Sequence, residues 1–379
     1  MKWWTTKTEQ VAKQNLSYSP PAVSPPGDTL AELIEERGIA QAELARRMGR
    51  PINAINEMVL GAKEITEDTA LELERVLGTP AHFWLARESR YREHLARQRD
   101  AGRAESRLDW LNTLPLKQLQ EAGVLPSGRL TPAFKSSLIE PVLKFFGVAS
   151  PEGWADQYGR VQAAFRRANP AKQTDNAAIT AWLRLGEIQA STAALPTYDA
   201  EKLQANMAAM RALTTQQAAA IGGQLKALCA QAGVVLAFVP SFPGTHVSGV
   251  ARWLGDRPLI QLSLLGKWND VFWFSFFHEV AHILKHPKRA VFLDDASSSA
   301  TVQSKEEKEA DQFASDVLVA PKDDRLLGQI ELTSPAIRAF AKQIGIHPGI
   351  VVGRLQHLGL LSYADPLTRL KDRYQLTVE

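Results

Sequence analysis

A single cysteine, Cys229, stands in a chain of 379 residues. One thiol cannot build an intrachain disulfide framework or a cysteine-rich metal cluster, which fits a reducing compartment, and Cys229 is expected to be a small buried hydrophobe. A dominant charge is missing as well. The 44 Lys and Arg against 41 Asp and Glu leave a formal net charge of +3, so the total demands neither a nucleic acid nor a membrane partner. No apolar run approaches the ~18 residues of a membrane span. The opening Met1-Lys-Trp-Trp-Thr-Thr-Lys7 lacks the apolar core of a signal peptide. Internal repeats and low-complexity tracts are also absent. These absences point to a cytoplasmic protein with no membrane partner.

What is present is ordinary for a globular protein, with 45% hydrophobic and 22% charged residues. The length predicts two or three folding units. Residues 1–27 form an N-terminal extension ending in Tyr-Ser-Pro-Pro-Ala-Val-Ser-Pro-Pro-Gly, whose prolines remove backbone donors and mark a connector. From 28 to 86 apolar residues recur at helical spacing in short segments (Leu30, Leu33, Ile34; Leu44, Ala45, Met48; Ile52, Ile55, Val59; Leu71, Leu73, Leu77). Residues 87–107 hold seven arginines against four acids and few apolar positions, which predicts an exposed basic linker helix. Residues 108–232 carry helical periodicity broken by Pro115, Pro141, Pro170 and Pro196. In 233–379 the pattern changes: Val234–Val239, Val247–Trp253 and Leu259–Leu262 are short β-favouring runs between turn signals, and helices resume after Trp268. The fold class expected is mainly α with a small β-sheet, α+β.

The strongest chemical signal lies in Val271-Phe-Trp-Phe-Ser-Phe-Phe-His278-Glu279-Val-Ala-His282-Ile-Leu-Lys-His286. Polar residues interrupt a helix that should otherwise stay dry. Positions four apart share one helix face, so His278 and His282 can aim at one ion with Glu279 beside them, the HExxH spacing of a zinc metalloendopeptidase. Zinc needs a third protein ligand and an open position. The next acidic helix, Lys305-Glu-Glu-Lys-Glu309-Ala-Asp311-Gln-Phe-Ala, offers Glu309 beside its apolar phase, with Glu306 as the competing ligand and Asp311 as an outer acceptor for a histidine N–H. Glu279 is the expected catalytic base for hydrolysis of a peptide bond. His286 lies ~12 Å from His278 along a helix axis and is expected not to ligate. His246 and His347, in turn-like contexts, are candidates to face an oxyanion.

A second signal is Gln41-Ala-Glu-Leu-Ala-Arg-Arg-Met-Gly49 followed by Arg50-Pro-Ile-Asn-Ala-Ile-Asn-Glu-Met-Val-Leu-Gly61, a helix, a glycine turn and a second helix. Asn53 and Asn56 fall on the polar side of the second helix and suit adenine, while Arg46, Arg47, Arg50 and Lys63 are placed to hold phosphates. Charge is divided: residues 41–63 carry four basic and two acidic side chains, residues 26–95 nine and thirteen. DNA affinity is therefore expected to be modest and salt-sensitive.

The N-terminal residues resemble the XRE, λ-repressor-like helix-turn-helix of HigA-type antitoxins, through Gln-Ala-Glu-Leu-Ala-Arg-Arg-Met-Gly, Ile-Asn-Glu-Met-Val and Leu-Gly-Thr-Pro-Ala-His-Phe-Trp-Leu. The C-terminal residues resemble the ImmA/IrrE metallopeptidases, through Phe-Trp-Phe-Ser-Phe-Phe-His-Glu-Val-Ala-His-Ile-Leu, Glu-Ala-Asp-Gln-Phe-Ala and Pro-Gly-Ile-Val-Val-Gly-Arg-Leu. The resemblance implies a five-helix DNA-binding domain joined to a zincin-like domain, with His278, His282 and Glu309 on Zn2+ and Glu279 as base. It implies a transcriptional regulator of a toxin-antitoxin locus whose partners are operator DNA, a protein substrate and a toxin, acting as a homodimer. The alternative is a non-catalytic repressor that binds operator and toxin, with a structural metal site.

Overall fold

The computed structural model describes residues 23–102, 104–168, 175–245, 247–263, 268–286, 288, 292–295 and 305–374. The chain divides after Asp109 into two compact units.

The first unit is helical: α1 (Pro26–Glu36), α2 (Gln41–Met48), α3 (Ile52–Val59), α4 (Glu67–Leu77) and α5 (Ala81–Ala101). Each helix is short and amphipathic, and stability comes from pooling one apolar stripe per helix. Leu30, Ile34, Leu44, Met48, Ile55, Met58, Leu73, Leu77 and Trp84 meet in a single core. Gly49 ends α2 at φ 61°, a left-handed conformation in which its N–H bonds back to Ala45 and Arg46. Thr66 caps α4 by accepting from Thr69 N–H. The basic stretch expected over 87–107 does not begin a helix of its own. Its helix starts at Ala81, because Trp84 is fully buried in the bundle core, and only later turns carry the exposed Arg97–Glu93 pair.

The second unit contains helices α6 (Ala104–Asn112, spanning the division), α7 (Leu116–Glu121), α8 (Pro132–Phe146), α9 (Pro151–Ala168), α10 (Asn176–Ser191), α11 (Ala200–Ala212) and α12 (Ala218–Gln231). After them come β1 (Val235–Phe238), β2 (Val247–Leu254), β3 (Arg257–Leu262), α13 (Asn269–Lys285), β4 (Phe292–Asp295), α14 (Lys305–Leu318), α15 (Pro321–Asp324), α16 (Ser334–Ile344) and α17 (Pro348–His357). Pro141, expected to break the helical layer, lies inside α8. The helix tolerates a penalty of ~3 kcal/mol there because Leu138, Ile139, Val142, Leu143, Phe145 and Phe146 are buried along it, each worth ~1.5–3 kcal/mol.

The sheet has the order β1-β3-β2-β4, with β1 parallel to β3 and β2 antiparallel to both neighbours. Three of these strands match the expected β-favouring runs. The fourth, Phe-Leu-Asp-Asp, has no such signal. Successive side chains alternate between faces. Arg252 and Gln261 point to α10, where Arg252 bonds Glu187 at 2.7 Å and the Leu183 carbonyl, and Gln261 bonds the Trp182 carbonyl at 2.6 Å. Ala251, Ile260 and Leu262 face the opposite way and join the core of α13. That helix is buried on all sides, with Phe272, Trp273, Phe276, Phe277, Val280 and Ala281 at 2% exposure or less. Its first turn is pinned by Asn269 N–H donating to the Asp372 carbonyl at 2.8 Å and by Lys371 on Asp270 at 2.6 Å.

Candidate functional site

The spacing of four on α13 brings the His278 and His282 rings together, with Nε2 atoms 2.9 Å apart. Both side chains are buried, and so is Glu279 between them in sequence. The carboxylate that reaches them is Glu307 of α14, at 3.2 Å from His278 Nε2 and 3.7 Å from His282 Nε2. The ligand atoms of His278, His282 and Glu307 all lie within 4.8 Å of one another. Two imidazole nitrogens at 2.9 Å cannot both present lone pairs without a proton or a cation near them. Two neutral nitrogens plus one carboxylate form a donor set that fits a divalent transition-metal ion.

The electrostatics agree with this arrangement. Burial raises the Glu307 carboxyl's pKa, but hydrogen bonds to His278 and His282 outweigh it and hold the group down at about 2. Burial lowers His282, opposed by its hydrogen bond to Glu307. Glu307 is therefore held as an anion, and burial favours the neutral form of His282, the states in which each can lend a lone pair to a metal.

The expected third ligand, Glu309, is elsewhere. Two residues on from Glu307 is ~200° around a helix, so when Ala310, Ala314 and Leu318 pack inward it is Glu307 that shares their side. Glu309 instead meets Lys285 at 3.3 Å and His286 at 3.6 Å, and its carboxyl is lowered chiefly by the Lys285 hydrogen bond. Glu306 is not in the converging group either. Asp311 lies 2.9 Å from His278 Nδ1. A sequence signal for Glu307 exists in hindsight: Glu307 and Asp311 are spaced four apart, the same interval as the histidines they meet.

Glu279 lies against strand β2. A Cβ on Gly249 would fall 2.7 Å from Glu279 Oε1 and 3.0 Å from its Cγ, so this close approach requires glycine. His347 does not face the site. It caps α17, its Nδ1 accepting from Gly349 N–H at 3.0 Å and meeting Asn269 Nδ2 at 2.6 Å, while Nε2 contacts Asp372 at 3.1 Å. Asn269 opens α13, ~13 Å before His278 along the axis at ~1.5 Å per residue, so the contacts of His347 tie α17 to the first turn of α13. His246 lies outside the described residues.

In the first unit, Asn53, Asn56 and Glu57 are exposed on α3, and Lys63 is exposed beyond it. Arg46 and Arg47 are exposed but both pair with Glu43, Arg47 at 2.8 Å. Arg50 is not a free cation: its guanidinium holds Glu72 of α4 through contacts of 2.5 and 3.3 Å. Glu72 thus fastens the turn before α3 to the rest of the bundle.

Residues 30–84 match the helix-turn-helix family model HTH_3, and an XRE-type helix-turn-helix occupies this segment. No curated protein matches the chain. Among solved structures, the chain is similar to an addiction module antidote protein of the HigA family from Coxiella burnetii at 30% identity, over 22% of this chain and 92% of that one, with a TM-score of 0.21. It is similar to a putative antidote protein of a plasmid maintenance system from Nostoc punctiforme at 26% identity, over 22% and 91%, TM-score 0.21. It is similar to the Pseudomonas aeruginosa antitoxin HigA with higBA promoter at 29% identity, over 22% and 94%, TM-score 0.21.

Proposed function

We propose that this chain is a DNA-binding regulator of the antitoxin type whose second unit carries a zinc-dependent peptidase centre, hydrolysing a peptide bond in a regulatory protein. The observation that carries the enzymatic half is the convergence of His278, His282 and Glu307 beside the buried Glu279. The helix-turn-helix match over residues 30–84 supports the DNA-binding half. The exposed amides of Asn53 and Asn56 on α3 are chemically suited to adenine edges in a major groove. Operator DNA, a toxin and a second copy of the chain are the partners this reading implies.

Zinc held by His278, His282 and Glu307 would polarise a carbonyl and bring the pKa of a water towards ~7. The Glu279 carboxylate takes the proton of the attacking water and returns it to the leaving amine as the C–N bond breaks. Gly249 lets strand β2 lie close enough to hold that carboxylate in place. Asp311 accepts a hydrogen bond from His278 Nδ1–H, which keeps the proton on Nδ1 and leaves the Nε2 lone pair pointing inward.

The test is cleavage of a protein-derived peptide library by the zinc-loaded full chain, read by mass spectrometry. Glu279→Gln is expected to retain metal and lose cleavage by at least ~100-fold. Equal cleavage by the variant would overturn the assignment of the base. The depth of the site, with His278 and His282 at 1% and 2% exposure, favours a second reading in which the ion is a structural brace for an operator- and toxin-binding protein. Retained metal with no cleavage by the natural chain, and undiminished operator binding, would select that reading.

A further inference from the structure

We infer that His286 and Glu309 form an outer relay that orients His282 as a metal ligand, the counterpart of what Asp311 does for His278. The inference rests on the metal centre proposed above. His286 closes α13, where the backbone leaves the helix at φ −109°, ψ 156°, and its side chain is 4% exposed. Its Nδ1 lies 2.8 Å from His282 Nδ1, and the two ring centres are 4.9 Å apart. On the far side, His286 Nε2 is 3.6 Å from Glu309 Oε2, and Lys285 Nζ is 3.3 Å from Glu309 Oε1.

The proton count decides the direction. His282 Nε2 faces Glu307 and His278, so lending that nitrogen to an ion puts the proton of a neutral ring on Nδ1. His286 Nδ1 then accepts a hydrogen bond from His282 Nδ1–H, which puts the proton of a neutral His286 ring on Nε2, facing the Glu309 carboxylate. Each ligating histidine is thus backed by an acid, His278 directly and His282 through a second imidazole. A hydrogen bond from the outer ring N–H to an acceptor fixes the tautomer and ring plane of a ligating imidazole and raises its basicity. At 3.6 Å the Glu309 end is an electrostatic contact rather than a full hydrogen bond, and its carboxylate is 45% exposed, so its share is the smaller one.

The experiment is a zinc titration of the full chain against a chromophoric chelator, with folding checked by circular dichroism and with His286→Ala, His286→Asn, Glu309→Gln and Asp311→Asn in parallel. His286→Ala is expected to weaken zinc ~10–100-fold, and Glu309→Gln only a few-fold. His286→Asn, whose amide oxygen can take the same proton, is expected to recover most of the loss. A loss in Asp311→Asn with none in a folded His286→Ala would leave the metal centre standing and overturn the relay. Equal weakening in His286→Ala and His286→Asn would overturn it too, by showing that ring packing and not the hydrogen bond matters. No zinc on the natural chain would remove the centre and the relay with it.

Discussion

Replacing Gly249 by alanine puts one methyl group between strand β2 and the proposed base. The new Cβ would meet Glu279 Oε1 at 2.7 Å, Leu262 Cδ2 at 2.9 Å and Glu279 Cγ at 3.0 Å, all well inside the ~3.5 Å of ordinary contact. Neither side can retreat freely, because β2 is paired on both edges and α13 is buried all round. Overpacking of this kind costs ~1–3 kcal/mol. Two of the three clashes belong to Glu279, so removing that side chain should relieve about half of the penalty. The assay is a double-mutant cycle in urea on the transition of the sheet-bearing unit: natural chain, Gly249→Ala, Glu279→Ala and the double variant. A coupling of ~1 kcal/mol is expected, larger than the ~0.3–0.5 kcal/mol by which independent sites depart from additivity. If the Gly249→Ala penalty is the same in both backgrounds, Glu279 does not lie against the strand and the reasoning fails. The cycle needs no substrate, and the same single variant should keep its metal.

The ligand correction has its own test: Glu307→Gln should abolish stoichiometric zinc after dialysis while Glu309→Gln retains it, and the reverse would restore the sequence expectation. Asn56→Ala should weaken operator binding by ~1–3 kcal/mol in a gel shift, and an unchanged affinity would remove that base contact. Arg50→Ala should destabilise the first unit by ~0.5–1 kcal/mol, because its contacts with Glu72 are partly exposed, and leave the salt dependence of DNA binding unaltered. A salt slope reduced by ~1 would instead make Arg50 a phosphate contact.

The burial of His278, Glu279 and His282 on one helix was legible in the sequence because two local facts coincide there: a spacing of four, and an apolar approach that leaves polar residues nowhere to go but inward. The carboxylate was not, since choosing Glu307 over Glu309 needs the rotational phase of α14 to within one residue, and the apolar residues of that helix do not set it so finely. Arg50 shows the same limit in another form. Its place before α3 suits a phosphate, and only the tertiary position of Glu72 on α4 shows that it is already engaged. Strand β4 carries two aspartates in four residues, so its pairing with β2 could not be read from composition. Pro141 misled because helix propensity is local, whereas the apolar side chains buried along α8 outweigh it collectively.

The ligands of the candidate centre come from two successive helices, α13 and α14, packed side by side. An ion held there would cross-link them, closing the segment from His282 to Glu307 into a loop. Loops of this length, when closed covalently, are worth ~3–4 kcal/mol through the entropy they remove from the unfolded chain. The lone Cys229 leaves no disulfide to supply such a link. Metal availability would then set how firmly α14 is docked, and the lifetime of the folded second unit would follow the zinc supply of its compartment.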